Sequence, residues 1–131
     1  MGKSESKRHI RGHVVKGDQR GRTLGYPTIN VESSASAPSG VYAGRVAIEG
    51  KTYAAAVHVG GAPTFGKDRF LFEAYLVDFS GDVYGKEVEI ELMRYLRPTR
   101  QFADGEALAR QIARDIEEVR EVERGEGRSC G

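Results

Sequence analysis

Cysteine is nearly absent: one residue in 131, Cys130, next to the C-terminus. That excludes an internal disulfide and any cysteine-rich zinc site. A free terminal thiol fits a reducing compartment, and its plain reading is a solvent-exposed tail residue. Long apolar runs are missing as well. Nothing approaches the ~18 residues of a membrane span, and the N-terminal MGKSESKRHIR lacks the apolar core of a signal peptide, so the expectation is a cytoplasmic protein with no membrane partner. Charge of one sign is not in excess either. Twenty Lys and Arg against nineteen Asp and Glu leave a formal charge of +1, which does not single out nucleic acid as a partner and makes any electrostatic signal a local one. Repeats and linkers are also lacking, and the length suits one domain with a single core.

What is present reads mainly as β-structure. In EVEIELM (87–93) Val88, Ile90 and Leu92 alternate with three glutamates, the pattern of a strand with one wet and one buried face. VYAGRVAI (41–48) and TYAAAVHV (52–59) flank Glu49-Gly50-Lys51, a connection of hairpin length and composition. LFEAYLVDF (71–79) follows, and SGDVYGK turns the chain into 87–93. Five or so strands with tight turns and no helix between them imply an antiparallel sheet, either closed into a small barrel, which protects its edges, or left as an open sandwich.

Only the last third has helical periodicity. Asp104 is placed to cap, Glu106 suits the first turn, and Leu108, Ile112, Ile116 and Val119 recur at spacings of four, four and three. The spacing predicts one amphipathic helix over 104–122, lying on the sheet and ended near Gly125. Residues 1–8 and 124–131 are polar, small or charged, and are expected to be a loose arm and a disordered tail around a domain of residues 9–123.

The stretch VVKGDQRGRTLGYPTIN (14–30) concentrates Gly17, Gly21 and Gly25 with Lys16, Arg20 and Arg22. It is not a P-loop: three residues instead of four separate Gly17 from Gly21, Arg22 replaces the lysine, and Pro27 disfavours helix at Tyr26. Glycines still let backbone N–H groups turn around an anion, with arginine adding charge. A flap over a nucleotide triphosphate and a flexible surface turn with solvated charges both fit these residues. If 26–31 is extended, Thr28 and Asn30 share one face about 6.5 Å apart. A hydroxyl and an amide oxygen so placed are hard donors of the kind Mg²⁺ accepts beside phosphate oxygens, or simply the polar face of a strand.

Glu73 sits in an apolar strand, with Leu71 and Tyr75 on its own face and Phe72 and Ala74 on the other. A carboxylate there is either held in a structural salt bridge or functional, since burying an unpaired charge costs several kcal/mol. The functional reading is a base that takes a proton from an alcohol during phosphoryl transfer. His13 and His58 have no Asp, Glu or Cys at a ligand-like spacing, and Ser33, Ser34, Ser36 and Ser39 have no G-x-S-x-G around them.

In order along the chain, GHVVKGDQRGRTLGYPTIN, GVYAG, VGGAPTF, FEAYLVDF, DVYG and YLRPTRQF resemble the riboflavin kinases, both stand-alone enzymes and the kinase half of bifunctional bacterial FAD synthetases. The resemblance runs from about Gly12 to Val119. It implies a small antiparallel Greek-key β-barrel of about six strands with a C-terminal amphipathic helix, and ATP-dependent phosphorylation of the ribityl 5′-hydroxyl of riboflavin to FMN. By position it implies Thr28 and Asn30 as ligands of Mg²⁺ or another divalent cation and of the ATP phosphates. It implies Glu73 as the base, and Gly17, Gly21, Arg22 and Gly25 in the nucleotide flap. Tyr84 matches a residue near the nucleotide, and Arg97 one in a flap that covers the flavin. The partners implied are ATP, ADP, riboflavin and FMN, with no nucleic acid, acting on a monomer.

Two departures from the family pattern stand out. His58-Val59-Gly60 replaces the N-I-G of many members, which makes His58 a candidate rim residue near the nucleotide. The other is the additional nucleotidyltransferase domain of the bifunctional enzymes, for which 131 residues leave no room, so FMN is the expected end product. A reading from another class is a non-catalytic flavin- or nucleic-acid-binding barrel whose basic arm, Lys3, Lys7, Arg8 and Arg11, contacts phosphates. Against it, the strands show no aromatic row of the kind that stacks single-stranded bases.

Overall fold

A computed structural model describes residues 8–15, 26–63 and 69–129 of the chain. Six strands, β1 (Arg8–Val15), β2 (Thr28–Ser33), β3 (Gly40–Ile48), β4 (Lys51–Pro63), β5 (Phe70–Leu76) and β6 (Glu87–Arg97), precede one helix, α1 (Gly105–Ser129). All pairings are antiparallel and close a barrel in the order β1-β2-β5-β4-β3-β6. Strands β3, β4 and β5 form a meander, and β2 lies beside β5 instead of β3, which is a Greek-key arrangement. Closure settles the choice between barrel and open sandwich.

Period-two alternation supplies the interior. Val31, Val46, Val57, Phe72 and Ile90 are fully buried inside the barrel, and their sequence neighbours face out. The β3–β4 hairpin closes through Glu49 (φ 50°) and Gly50 (φ 84°), two residues of positive φ whose twist matches that of the flanking strands. At Gly12 on β1 a Cβ would run into the carbonyl oxygen of Glu32 on β2, so this seam closes only over a residue without a side chain.

Helix α1 covers the outside of the barrel. Ile112, Ile116 and Val119 pack on Ala43 of β3, Ala56 of β4 and Tyr75 of β5, where the two alanines let the helix approach closely. Asp104 caps it as expected, its Oδ1 accepting from the Ala107 N–H at 2.9 Å. Farther along, Arg45 of β3 holds Glu123 through Nε–Oε2 at 2.7 Å.

Several boundaries differ from the sequence reading. Strand β1 begins at Arg8, the last residue expected in the loose arm. Strand β5 ends at Leu76, not Phe79, because Asp78 takes φ 57° and breaks the extended run. The helix passes Gly125 and continues to Ser129: an isolated glycine in a helix costs only about 1 kcal/mol, and no proline follows to stop it.

Candidate functional site

The polar residues of the wall formed by β2, β5 and β4 are placed by register. Asn30 lies opposite Glu73 across β2–β5, and Glu73 lies opposite His58 across β5–β4. Two residues along, on the same face, Thr28 lies opposite Tyr75. Ile29, Val31, Phe72 and Ala74 turn into the barrel, so Thr28, Asn30, Glu73 and Tyr75 share the outer face. A row Asn30–Glu73–His58 thus crosses three strands, and directly opposed residues in such a row hold their Cβ atoms about 4.5–5.5 Å apart.

Tyr75 donates its hydroxyl to Glu73 Oε2 at 3.3 Å, and its ring lies 5.0 Å from the His58 ring. Glu73 is half-buried and Asn30 is 7% exposed. The Thr28 hydroxyl donates weakly, at 3.4 Å, to the carbonyl of Tyr26, which keeps the oxygen's lone pairs for a cation or a donor.

Beside this row opens a cleft of about 950 Å³, at the upper end of the ~300–1,000 Å³ typical of small-molecule sites. Glu73, Tyr75 and His58 form its barrel side. Arg97, Phe102 and Leu108, from the end of β6, the following connection and the first turns of α1, form the other. Thr28 and Asn30 are not in its walls. They flank Glu73 from β2, so the carboxylate stands on the strand between a cleft and a pair of hard oxygen donors.

Arg97 ends β6 and is fastened to the helix. Its Nε and Nη2 donate to the two carboxylate oxygens of Asp115 at 2.9 and 2.7 Å, and its Nη1 donates to the Pro98 carbonyl at 3.1 Å. Gln111 adds a bond to Asp115 Oδ1 at 3.0 Å. Only 4% of the Asp115 side chain and 15% of the Arg97 side chain reach solvent. The Phe102 ring is 4.9 Å from the Arg100 guanidinium carbon and 6.0 Å from that of Arg97, within cation–π range. Arg97 is therefore a fixed cation in the cleft wall, and Thr99, Arg100, Gln101 and Asp104 line the cleft after it.

His58 is the incomplete member of the site. Its Nε2 is closed to solvent and meets no hydrogen-bond partner among the described residues, a state that costs about 1–3 kcal/mol. Burial first, and then the Arg97 charge, push its pKa down to about 4 against the opposing pull of Asp115. The imidazole is neutral at pH 7.

Tyr84 sits outside this cleft. Its turn is tied to β1 by hydrogen bonds from Gly85 N–H to the Val14 carbonyl and from Val14 N–H to the Lys86 carbonyl, each 2.9 Å. Val15 in turn faces Asn30, so 59%-exposed Tyr84 projects near the same barrel end, one strand from β2. Gly17, Gly21, Arg22 and Gly25 lie outside the described residues.

Sequence reasoning missed Asp115, Tyr75 and Phe102. For Asp115 a signal existed: it falls on the apolar stripe that runs through Leu108, Ile112, Ile116 and Val119, where a carboxylate needs a buried cation. No such signal marks Phe102, whose role depends on where the connection folds back.

The described residues thus form a closed six-stranded β-barrel with one helix on its outside, and a cleft beside Glu73. The family model described as Flavokinase, riboflavin kinase, matches residues 4–123, and the chain belongs to the riboflavin kinase family. It is 38% identical over 116 residues to the bifunctional riboflavin kinase/FMN adenylyltransferase of Bacillus subtilis, covering 84% of this chain and 37% of that protein. Its likeness to the Listeria monocytogenes protein of the same description is 36% over 114 residues, covering 84% and 36%. An RNA-binding riboflavin kinase of Bacillus subtilis is 36% identical over 109 residues, covering 82% and 47%. The chain thus spans from about a third to about half of the length of these curated relatives.

Among solved structures, a Streptococcus pneumoniae chain described as a macrolide-efflux protein aligns with TM-score 0.76 at 34% identity, over 86% of this chain and 38% of that one. Riboflavin kinase from Trypanosoma brucei aligns with TM-score 0.60 at 24% identity, over 88% and 79%. The latter bears on the fold alone.

Proposed function

We propose that this chain transfers the γ-phosphoryl group of ATP to the ribityl 5′-hydroxyl of riboflavin, giving FMN and ADP. The observation that carries the proposal is the position of Glu73, on β5 between the cleft and the Thr28–Asn30 pair of β2. Membership of the riboflavin kinase family supports it.

Phosphoryl transfer asks the protein mainly for alignment and electrostatic stabilisation. In this reading the flavin occupies the cleft, its ring against Phe102 and Leu108, and its ribityl end reaches Glu73. Thr28 and Asn30 hold the triphosphate side. Their hydroxyl and amide oxygens fit Mg²⁺, which keeps few protein ligands beside phosphate oxygens and water; when bound it supplies charge neutralisation on those phosphates. Glu73 accepts the hydroxyl proton as the oxygen attacks the γ-phosphorus, and the β–γ bridging oxygen leaves with ADP. Tyr75 holds Oε2, which fixes the direction in which the carboxylate presents its other oxygen.

The test is a comparison of wild type and Glu73→Gln at saturating ATP and Mg²⁺. Loss of FMN formation by on the order of 10²–10⁴, with riboflavin affinity retained, is the outcome expected of a general base. Full activity in the variant removes Glu73 from the reaction.

A further inference from the structure

We propose that His58 orients the acceptor substrate, its imidazole hydrogen-bonding the polyol chain of riboflavin beside the hydroxyl that Glu73 deprotonates. The proposal rests on the reading of riboflavin as the acceptor and goes beyond it by assigning a residue to the ribityl chain.

Three observations converge. His58 faces Glu73 directly across β4–β5, so a ligand atom within reach of the carboxylate is also within reach of the imidazole. The part of the flavin at that point is its polyol end, since the apolar side chains that suit the ring, Phe102 and Leu108, stand across the cleft on the connection and the helix. His58 lines the cleft, yet its Nε2 has no partner among the described residues. A hydroxyl seated against Glu73 gives that nitrogen the missing bond after a small turn of the ring about χ2.

The chemistry matches a polyol. A neutral imidazole offers one donor and one acceptor, as each hydroxyl does. Desolvation and Arg97 keep the ring in that state at neutral pH, and a neutral ring does not compete with the substrate by forming an ion pair with Glu73. The contact with Tyr75, 5.0 Å between centroids, packs the ring without consuming a nitrogen.

The experiment is a fluorescence titration at pH 7.5 of two flavins against wild type, His58→Phe and His58→Gln, each checked for folding by circular dichroism. Riboflavin carries the ribityl chain; lumiflavin has the same ring with a methyl group in its place. The expected result is that His58→Phe, which keeps a ring beside Tyr75, weakens riboflavin about tenfold and leaves lumiflavin within twofold of wild type. His58→Gln, with a donor and an acceptor, recovers most of the loss. Unchanged riboflavin affinity in His58→Phe, or equal losses for both flavins, overturns the assignment while riboflavin binding by wild type leaves the function standing. Failure of the wild type to bind riboflavin overturns both.

Discussion

Replacing Asp115 by alanine removes two charge-assisted bonds from the Arg97 guanidinium and leaves a mostly buried cation without its counter-charge. It also strips Gln111 of its acceptor. Breaking one side of a buried pair costs about 3–5 kcal/mol. Arg97 retains the Pro98 carbonyl and the Phe102 ring, and the adjoining cleft admits some water, which places the expected loss near the low end, about 3 kcal/mol. For a domain of this size each kcal/mol lowers Tm by about 3–4 °C, so the midpoint should fall by on the order of 10 °C. Thermal and urea unfolding followed by circular dichroism at pH 7 measure this. The double variant Arg97→Met, Asp115→Leu removes both charges and should regain most of the stability. A loss below about 1 kcal/mol in Asp115→Ala, the size typical of an exposed pair, would refute the view of Arg97–Asp115 as a buried strut between barrel and helix.

The site makes three other predictions. Thr28→Ala should raise the apparent constants for ATP and for Mg²⁺ together, with riboflavin affinity little changed; ATP affinity unaltered at saturating Mg²⁺ contradicts the placement of the phosphates at β2. Because the folded His58 pKa of about 4 lies below the unfolded value of about 6.5, the unfolded chain binds the extra proton in that window. Stability is therefore full above about pH 6.5 and falls as the pH drops towards 4, by up to about 3 kcal/mol; His58→Phe should flatten that limb in urea titrations. Gly12→Ala forces a methyl group onto the Glu32 carbonyl at the β1–β2 seam and should lower the urea midpoint by an amount typical of overpacking, about 1–3 kcal/mol.

The barrel was legible where alternation was strict. The strands read at 41–48, 52–59 and 87–93 all lie within β3, β4 and β6, because one apolar face is enough to fix both element and register. β1 was hidden: its inward residues are Ile10, Gly12 and Val14, and a glycine in the middle, chosen for the close approach of Glu32, weakens the apolar signal beside three outward basic side chains. The end of β5 turns on Asp78 entering the left-handed region, a backbone event that residue type only hints at. Thr28, Asn30 and Glu73 stood out as candidates from their types and spacing, but their adjacency did not. It arises because β2 pairs with β5 across the Greek key. His58 could be noticed as a departure from the family's asparagine, whereas its register against Glu73 and the burial that keeps it neutral exist only once β4, β5, β6 and the helix are assembled. Asp115 carried a sequence signal, a charge on an apolar stripe, that becomes readable when Arg97 is seen at its end of β6.

The central claim is that this chain joins a phosphate donor on the β2 side to a flavin in the cleft through Glu73. Incubating the 131-residue chain with γ-labelled ATP, Mg²⁺ and riboflavin, and separating the flavins by chromatography, tests it most directly. Label appearing in FMN in step with the loss of riboflavin and the formation of ADP is the predicted result. Label released only as inorganic phosphate, or retained in ATP while riboflavin binds, would contradict it.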